Sequence, residues 1–409
     1  MSLHHAKLDV YYKDNLNRLS VRLLASNVLP SIPLARRWCP LKARVPPTIG
    51  LAVGGGKALM KAAFNGPQCP LPIGAAKTVL LGHGSGGRMT ADLLAQFFLP
   101  AFANPVLDAL NDQAVVDING ARLAFTTDAF VVSPLFFPGG DIGRLAVHGT
   151  INDLAMCGAT PLWLSGAFIL EEGFPLDDLR CVLDSMSAAC REAGVQLVTG
   201  DTKVVEKGKG DGLFITTSGL GVVSHSRHIA ADQARPGDRI LVSGTVGDHG
   251  VAVLSAREGL EFETRLESDT AALHTLVQTM LAGNPEIHCL RDPTRGGLAS
   301  SLNELAASSR VGMVIEEQTI PLREEVRGAC EMLGLDPLYV ACEGRLTAIV
   351  RENDVGMVLA RMQAHPLGKQ ARCIGRVVAE HPGTVVLRTA FGSERVMDML
   401  SGAQLPRIC

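Results

Sequence analysis

The chain has 409 residues, 47% of them hydrophobic and 19% charged, ample for two domains with cores of their own. Its 38 basic and 41 acidic side chains leave a net charge of -3 with no basic stripe interleaved with aromatics, which argues against a nucleic-acid partner. No apolar run reaches the ~20 residues of a membrane span, and the ten scattered cysteines form no C-x-x-C pair, so reduced thiols in the cytoplasm are expected.

Residues 1–76 mix Arg36, Arg37, Lys42 and Arg44 with repeated prolines and show no sustained helical or strand period. This segment is expected to be poorly ordered, the product of an upstream start site or a presequence. Its GGGK run at Gly54 to Lys57 lacks the spacing of a phosphate-binding P-loop. Regular alternation begins at Val79. A short strand at 79–81 is expected to feed the loop GHGSGG, then a helix with Leu93, Leu94, Phe97 and Phe98 on one face. A strand at 123–127 should end at Asp128, followed by a helix carrying Ile142, Leu145, Ala146, Ile151 and Leu154 that Gly158 terminates. Strands at 161–170, 195–199 and 213–223 flank a second helix that stops at Gly194. Beyond the turn at Pro236 and Gly237 a second alternation starts. Strands are expected at 239–243, 311–316, 345–350, 373–378 and 384–388, with helices at 248–259, 269–282 and from Thr294. The pattern predicts an α/β (α+β) fold of two domains, 77–231 and 232–390, with an N-terminal extension and a tail at 391–409.

Chemistry concentrates in a few segments. Gly84, Ser85, Gly86 and Gly87 offer backbone N–H groups unobstructed by side chains, as a phosphate requires, although glycine clusters are usually plain turns. Asp128, Asp153 and Asp201 form a candidate oxygen-ligand set for Mg²⁺ bridging ATP phosphates. Taken singly, each is more often a helix cap or a solvated acid. Lys203 is either a surface lysine, a neutraliser of phosphate charge or, if desolvated, a proton acceptor. DPTRGGL (292–298) and CEGRL (342–346) pair charge with glycine, either to close a cleft or as ordinary turns. The last residue is Cys409, a thiol on a tether able to reach a cleft.

LGHGSGGRMTADLL, TTDAFVVSPLFFPGGDIG, GTINDLAMCGATP, VTGDTKVV, DPTRGGL, CEGR and the final PRIC follow one another in order from about residue 79 to Cys409. In these motifs the chain resembles the HypE family of hydrogenase maturation proteins, within the AIR-synthetase-like (PurM-like) superfamily. Residues 1–76 have no counterpart in that pattern. The resemblance implies a homodimer of subunits with two AIR-synthetase-like domains and a mobile tail. It implies that HypF, a carbamoyltransferase, carbamoylates the terminal cysteine and that ATP with Mg²⁺ then drives dehydration of the thiocarboxamide to a thiocyanate. The cyano group would pass to iron held by a HypC–HypD complex and become a cyanide ligand of [NiFe] hydrogenase. By motif match Cys409 is the acceptor, Asp128, Asp153 and Asp201 the metal-nucleotide acids with Asn152 beside them, and Lys203 and Glu343 the proton acceptors. Modest intrinsic reactivity is expected of the thiol, only a few per cent of it ionised at neutral pH unless Arg407 or the partner enzyme lowers its pKa.

Two other readings compete. A selenophosphate synthetase, thiamine-phosphate kinase or AIR synthetase would share the acids and the glycine loop. None needs a final cysteine, and the first would want a reactive residue where this chain has Thr78, Val79, Leu80 and Leu81. A passive carrier of a group on Cys409 has no use for a nucleotide cleft.

Overall fold

The computed structural model describes residues 78–259, 266–402 and 405–409; the proline-rich stretch 1–76 lies outside the described residues. The first half opens with a helical run, α1 (Arg88–Leu93) and α2 (Leu99–Phe102), joined by a π turn at Leu94–Phe98. Then come β1 (Ala114–Ile118), β2 (Ala121–Phe130), the short β3 (Phe136–Phe137) and β4 (Gly140–Asp141), and α3 (Ile142–Ala155). β5 (Thr160–Glu171), α4 (Leu176–Ala193), β6 (Gln196–Val205) and β7 (Leu213–Val222) complete it. Five strands form one sheet in the order β1-β2-β7-β5-β6, antiparallel except for the β5–β6 pair.

Helix α3 is the spine of this half. Asp141 caps it, its carboxylate accepting from the N–H of Gly143 at 2.7 Å and of Arg144 at 3.1 Å, which stabilises the start by about 1 kcal/mol. Ile142, Leu145 and Ala146 bury against Phe130, Leu213 and Ile215 of the sheet. Helix α4 covers α3 with Val182, Met186, Ala189 and Cys190, the i, i+4, i+7, i+8 stripe of an amphipathic helix, and ends where Gly194 turns left-handed at φ 70°.

The second half contains β8 (Arg239–Val242), α5 (Asp248–Glu258), α6 (His274–Leu281), β9 (Ile287–Arg291), α7 (Gly297–Ser309), β10 (Gly312–Glu316) and α8 (Glu324–Leu333). β11 (Thr347–Val350), α9 (Val355–Ala364), β12 (Arg372–Val378), β13 (Val385–Arg388) and β14 (Glu394–Val396) follow. Seven strands are ordered β14-β13-β10-β12-β8-β11-β9. Helices cover both faces, so β8 and β11 read as continuous apolar runs rather than alternating ones. Ile240 and Val242 face Leu298, Leu302 and Leu305 of α7, while Leu241 faces Leu273, Leu276 and Met280 around α6.

The expected strand at 79–81 does not form among the described residues; Leu81–Gly84 is a 3₁₀ turn. Asp128 lies inside β2 rather than beyond its end, because β2 continues to Phe130 alongside β7. The helices expected from 269 and 294 begin at His274 and Gly297. The apolar stripe of the first helical run is not covered within one chain: Leu94, Phe97 and Phe98 are exposed.

Leu305, fully buried on α7, should lose about 2–5 kcal/mol of stability when cut to alanine, from lost transfer energy and the cavity left behind. Denaturant unfolding of Leu305→Ala beside the unchanged protein measures this.

Candidate active site

Elements from both halves drive carboxylates toward one point. Asp128 comes from β2, Asp153 from the last turn of α3, Asp112 from the loop before β1, and Asp292 from the residue after β9. With Gly86, Arg291, Arg295 and Glu304 they line a cavity of about 420 Å³. Arg291 pairs with Asp112 at 3.0 Å and with Glu304. The Thr126 hydroxyl stands 2.8 Å from Asp153 Oδ2 and 3.0 Å from the Asp112 carbonyl, able to donate to one at a time.

Burial dominates the electrostatics. It pushes Asp292 up to about 8, with Asp112 adding repulsion against the pull of Arg291. Asp112 rises to about 6 for the same first reason, and Asp128 rises although Arg295 opposes it. Asp153 stands well above the carboxylate range through burial and then the charges of Asp292, Asp128 and Asp112. Two guanidiniums do not balance this many acids in a medium of low dielectric.

Glu343 borders the same cluster. Its side chain is buried, Oε1 has no hydrogen-bond partner among the described residues, and burial followed by Asp292 and Asp128 holds its pKa well above the ordinary value. Its backbone is fixed at both ends. The Glu343 N–H donates to Asp269 Oδ1 at 3.0 Å, and its carbonyl accepts from Asn152 Nδ2 at 3.1 Å. A buried carboxyl with a free oxygen is suited to exchanging a proton with a ligand.

The last residues occupy a second cavity, of about 140 Å³, lined by Gly84, Ser85, Val131, Ala341 and residues 405–409, with Arg295 shared between the two. The Val131 N–H donates to Cys409 O at 3.0 Å and the Ser133 N–H to Arg407 O at 3.2 Å, while Ile408 packs into the core with Phe130, Val132 and Val253. Burial pushes the Cys409 thiol above its ordinary pKa; Arg295 works against the shift, and Glu343 and Asp128 add to it. Arg407 does not face the thiol. Its guanidinium pairs with Asp211, donates to Val131 O at 2.8 Å and lies over the Phe214 ring, so Arg295 is the cation beside the sulfur.

Relatives bear directly on this arrangement. The N-terminal domain model of AIR synthase related proteins matches residues 110–223 and the C-terminal model residues 235–388. A carbamoyl dehydratase HypE of Azotobacter vinelandii is 60% identical over 332 residues, 81% of this chain and 97% of that protein. This chain belongs to the HypE family. The crystal structure of a HypE–HypF complex matches at a TM-score of 0.72 and 46% identity, over 75% of this chain and 99% of that one. A HypE structure in complex with ATP matches at a TM-score of 0.69 and 49% identity, over 81% and 100%.

In this HypE-family chain the structure gathers Cys409, Glu343, Asp128, Asp153 and the glycine loop, and leaves three expected residues elsewhere. Asn152 does not line the cavity; Nδ2 donates to Ala271 O and Glu343 O and Oδ1 accepts from Leu273 N, so its amide ties α3 to the second half. Asp201 and Lys203 sit on the edge strand β6, exposed, with Nζ 2.6 Å from Asp201 Oδ2. Positions two apart on a strand share a face, so this pair satisfies itself. The desolvation that a neutral lysine base requires is missing within one chain. The glycine loop also differs from an open anion nest: Gly86 N–H donates to Thr90 Oγ1 at 3.0 Å and the Ser85 N–H to Gly82 O. Gly86 is still obligatory, because at φ 73° a Cβ would fall 2.6 Å from Arg295 Cβ.

The sequence reading missed Asp112, Arg291 and Glu304, which carry no motif. Asp292 and Arg295 lay inside DPTRGGL, a motif that pairs charge with glycine and belongs to the family resemblance, without a role assigned to either residue.

Because the folded pKa of Asp292 stands above its unfolded value, folding takes up a proton between about pH 4 and 8, and stability falls as pH rises through that window. Asp292→Asn should therefore raise the melting temperature of the ligand-free protein at pH 8 and give a smaller gain toward pH 5. Thermal unfolding across that range checks the sign.

Proposed function

We propose that this chain is an ATP-dependent carbamoyl dehydratase that converts an S-carbamoyl group on Cys409 to a thiocyanate and so supplies cyanide ligands for the iron of [NiFe] hydrogenase. The observation that carries the proposal is the shared wall: Arg295 lines both the cavity that holds the Cys409 thiol and the cavity crowded with acids.

The residues divide the work. The thiocarboxamide oxygen attacks the γ-phosphorus of ATP, the bond to the β-phosphate oxygen breaks, and ADP leaves. Arg295 stands where negative charge collects between phosphate and sulfur and offsets it. Loss of two N–H protons and cleavage of the C–O bond then expel phosphate and leave a C≡N group on sulfur. Glu343, buried and without a partner on Oε1, is the acceptor for the first proton, and the departing phosphate takes the second. The docked tail covers the cavity and keeps water from the activated intermediate.

Among the described residues no three His, Cys, Asp or Glu side chains close into a protein cage for a metal. Mg²⁺ needs none, since it takes one or two carboxylates and keeps positions for phosphate and water. Asp128, Asp153 and Asp292 offer the one or two carboxylates that would hold it, with Asp292 in place of the expected Asp201. A bound Mg²⁺ would supply the positive charge this cluster lacks and Lewis-acid help to phosphoryl transfer.

A homodimer fits the uncovered surfaces. Nearly all of edge strand β6 is exposed, as are Trp163, Leu197, Val198 and Val204 of the five-stranded sheet. A second copy on this face would cover it and carry Asp201 and Lys203 toward the neighbouring cleft. HypF loads the thiol and a HypC–HypD complex receives the cyano group in this scheme. Free cysteines at every described cysteine position suit a reducing cytoplasm, and no helix among the described residues is long and apolar enough to cross a membrane.

Incubation with HypF, carbamoyl phosphate and ATP should give a C-terminal peptide whose carbamoyl adduct loses one water only when ATP is present, by mass spectrometry. An adduct that never loses water would overturn the dehydratase. Glu343→Gln should load normally yet dehydrate roughly 10²–10⁴-fold more slowly. Mixing Lys203→Ala with Cys409→Ala subunits should restore turnover if Lys203 serves the neighbouring cleft; inactive mixtures would confine it to its own chain.

A further inference from the structure

Helix α5 runs beside the docked tail and grips its main chain at two points. In the first turn, His249 Nε2 lies 2.8 Å from Ile408 O. That carbonyl only accepts, so Nε2 carries the hydrogen and Nδ1 accepts from Ser268 Oγ, 2.7 Å away. The ring is buried and meets Phe137 edge-on at 5.4 Å between centroids. In the last turn, Arg257 spends its whole planar fork. Nε donates to Ser133 O, one terminal nitrogen to Pro406 O and the other to Arg407 O, each at 2.8 Å.

The two side chains stand eight residues apart on α5, and the carbonyls they take, Ile408 for His249 and Pro406 and Arg407 for Arg257, are neighbours on a tail that turns at Arg407, where φ is 54°. Together with the Val131 N–H, these two side chains take every carbonyl from Pro406 to Cys409. Arg257 also binds Ser133, on the segment whose own N–H holds Arg407 O, so one guanidinium ties tail and body together.

This grip sets a conflict. Cys409 is half-buried beside Arg295 in the docked state and the backbone of residues 406–409 is held throughout, so transfer of a carbamoyl group from another enzyme requires the tail to leave, whereas dehydration beside Arg295 requires it to be held. Releasing residues 406–408 breaks the two charge-assisted hydrogen bonds from Arg257 to the tail, the one from His249, the Ser133 N–H to Arg407 O, and the bonds of the Arg407 side chain to Val131 O and Asp211. Isolated apolar contacts of a short peptide do not provide that directional hold.

We propose that Arg257 is the positioning residue of the tail, a latch whose hydrogen bonds to Pro406 and Arg407 set how long Cys409 stays in the reaction cavity. The proposal rests on the dehydratase reading for its second consequence and not for its first. The first concerns access to sulfur. In the full-length protein without ATP, Arg257→Ala should raise the rate of Cys409 alkylation by iodoacetamide, followed by peptide mass spectrometry, by about tenfold or more. Arg257→Lys, which keeps the charge but not the fork, should fall between. The second concerns turnover. With Cys409 carbamoylated beforehand, Arg257→Ala should slow the ATP-dependent loss of water about tenfold or more while KM for ATP stays within about twofold.

Equal alkylation rates in wild type, Arg257→Ala and Arg257→Lys would overturn the latch. So would a common loss of melting temperature and ATP affinity that accounts for any slowing, since that is what a merely structural arginine produces. If Arg257→Ala does not fold, the lysine variant carries the same comparison. Failure of the wild type to lose water would sink the dehydratase reading and leave the alkylation comparison standing, so the two ideas fall separately.

Discussion

Repulsion among crowded carboxylates is the constraint on which the rest of this structure turns. Buried Asp292 and Glu343 and half-buried Asp112, Asp128 and Asp153 share one region with two guanidiniums, Arg291 and Arg295. Packing alone does not retain such an arrangement, because each additional buried charge costs free energy that apolar burial of a few side chains has to offset. The acids come from both halves of the fold, so the seam between the five-stranded and seven-stranded parts is also the seat of the charge. Asn152 makes the junction rigid, with all three of its hydrogen bonds reaching from α3 to residues of the second half. Binding a cation and a polyphosphate between these acids and Arg295 replaces repulsion with attraction, which makes ligand binding and cohesion of the two halves the same event.

The tail answers a chemical problem created by that cluster. A thiocarboxamide activated by phosphorylation is lost if water reaches it, and an acid-lined cavity open to solvent is wet. Filling the approach with residues 405–409 excludes water with the substrate's own backbone. The same burial disfavours the thiolate, so the docked sulfur is a poor nucleophile and is protected from stray electrophiles. Reactivity and protection are separated by position rather than by chemistry.

Much of the fold was legible in the sequence because hydrophobic period carries it. The stripe of α3, the stop at Gly194 and the strands at β8 and β11 are local features that local physics determines. The helices α8 and α9 and strands β1 and β9 were missed. α8 buries only Val326, Ala329 and Cys330, too narrow a stripe to stand out, and β9 is five residues long. The site was legible only in part. Asp128, Asp153, Glu343 and Cys409 stand in distinctive motifs. Asp112 sits in an unremarkable loop, and its partner Arg291 is remote in sequence, so only the folded chain brings the pair together. Asp201 and Lys203 stand in the VTGDTKVV motif, but strand geometry aims them at each other on an exposed edge within one chain, so their place in a site depends on the proposed second copy.

The glycine loop has one more effect, through the chain that crosses it. Leu400 O accepts from the Arg88 N–H at 2.8 Å, Arg88 pairs with Asp398, and a Cβ on Gly87 would lie 2.2 Å from that same oxygen, so the crossing is pinned where only glycine permits it. Nine residues, 401–409, remain beyond the pin, a leash of about 30 Å at full stretch. Any enzyme that loads the sulfur has to park its own reaction centre inside that sphere. Within it the local concentration of the sulfur is governed by leash length, and productive handover becomes a matter of how two bodies are berthed rather than of how well either grips a short peptide.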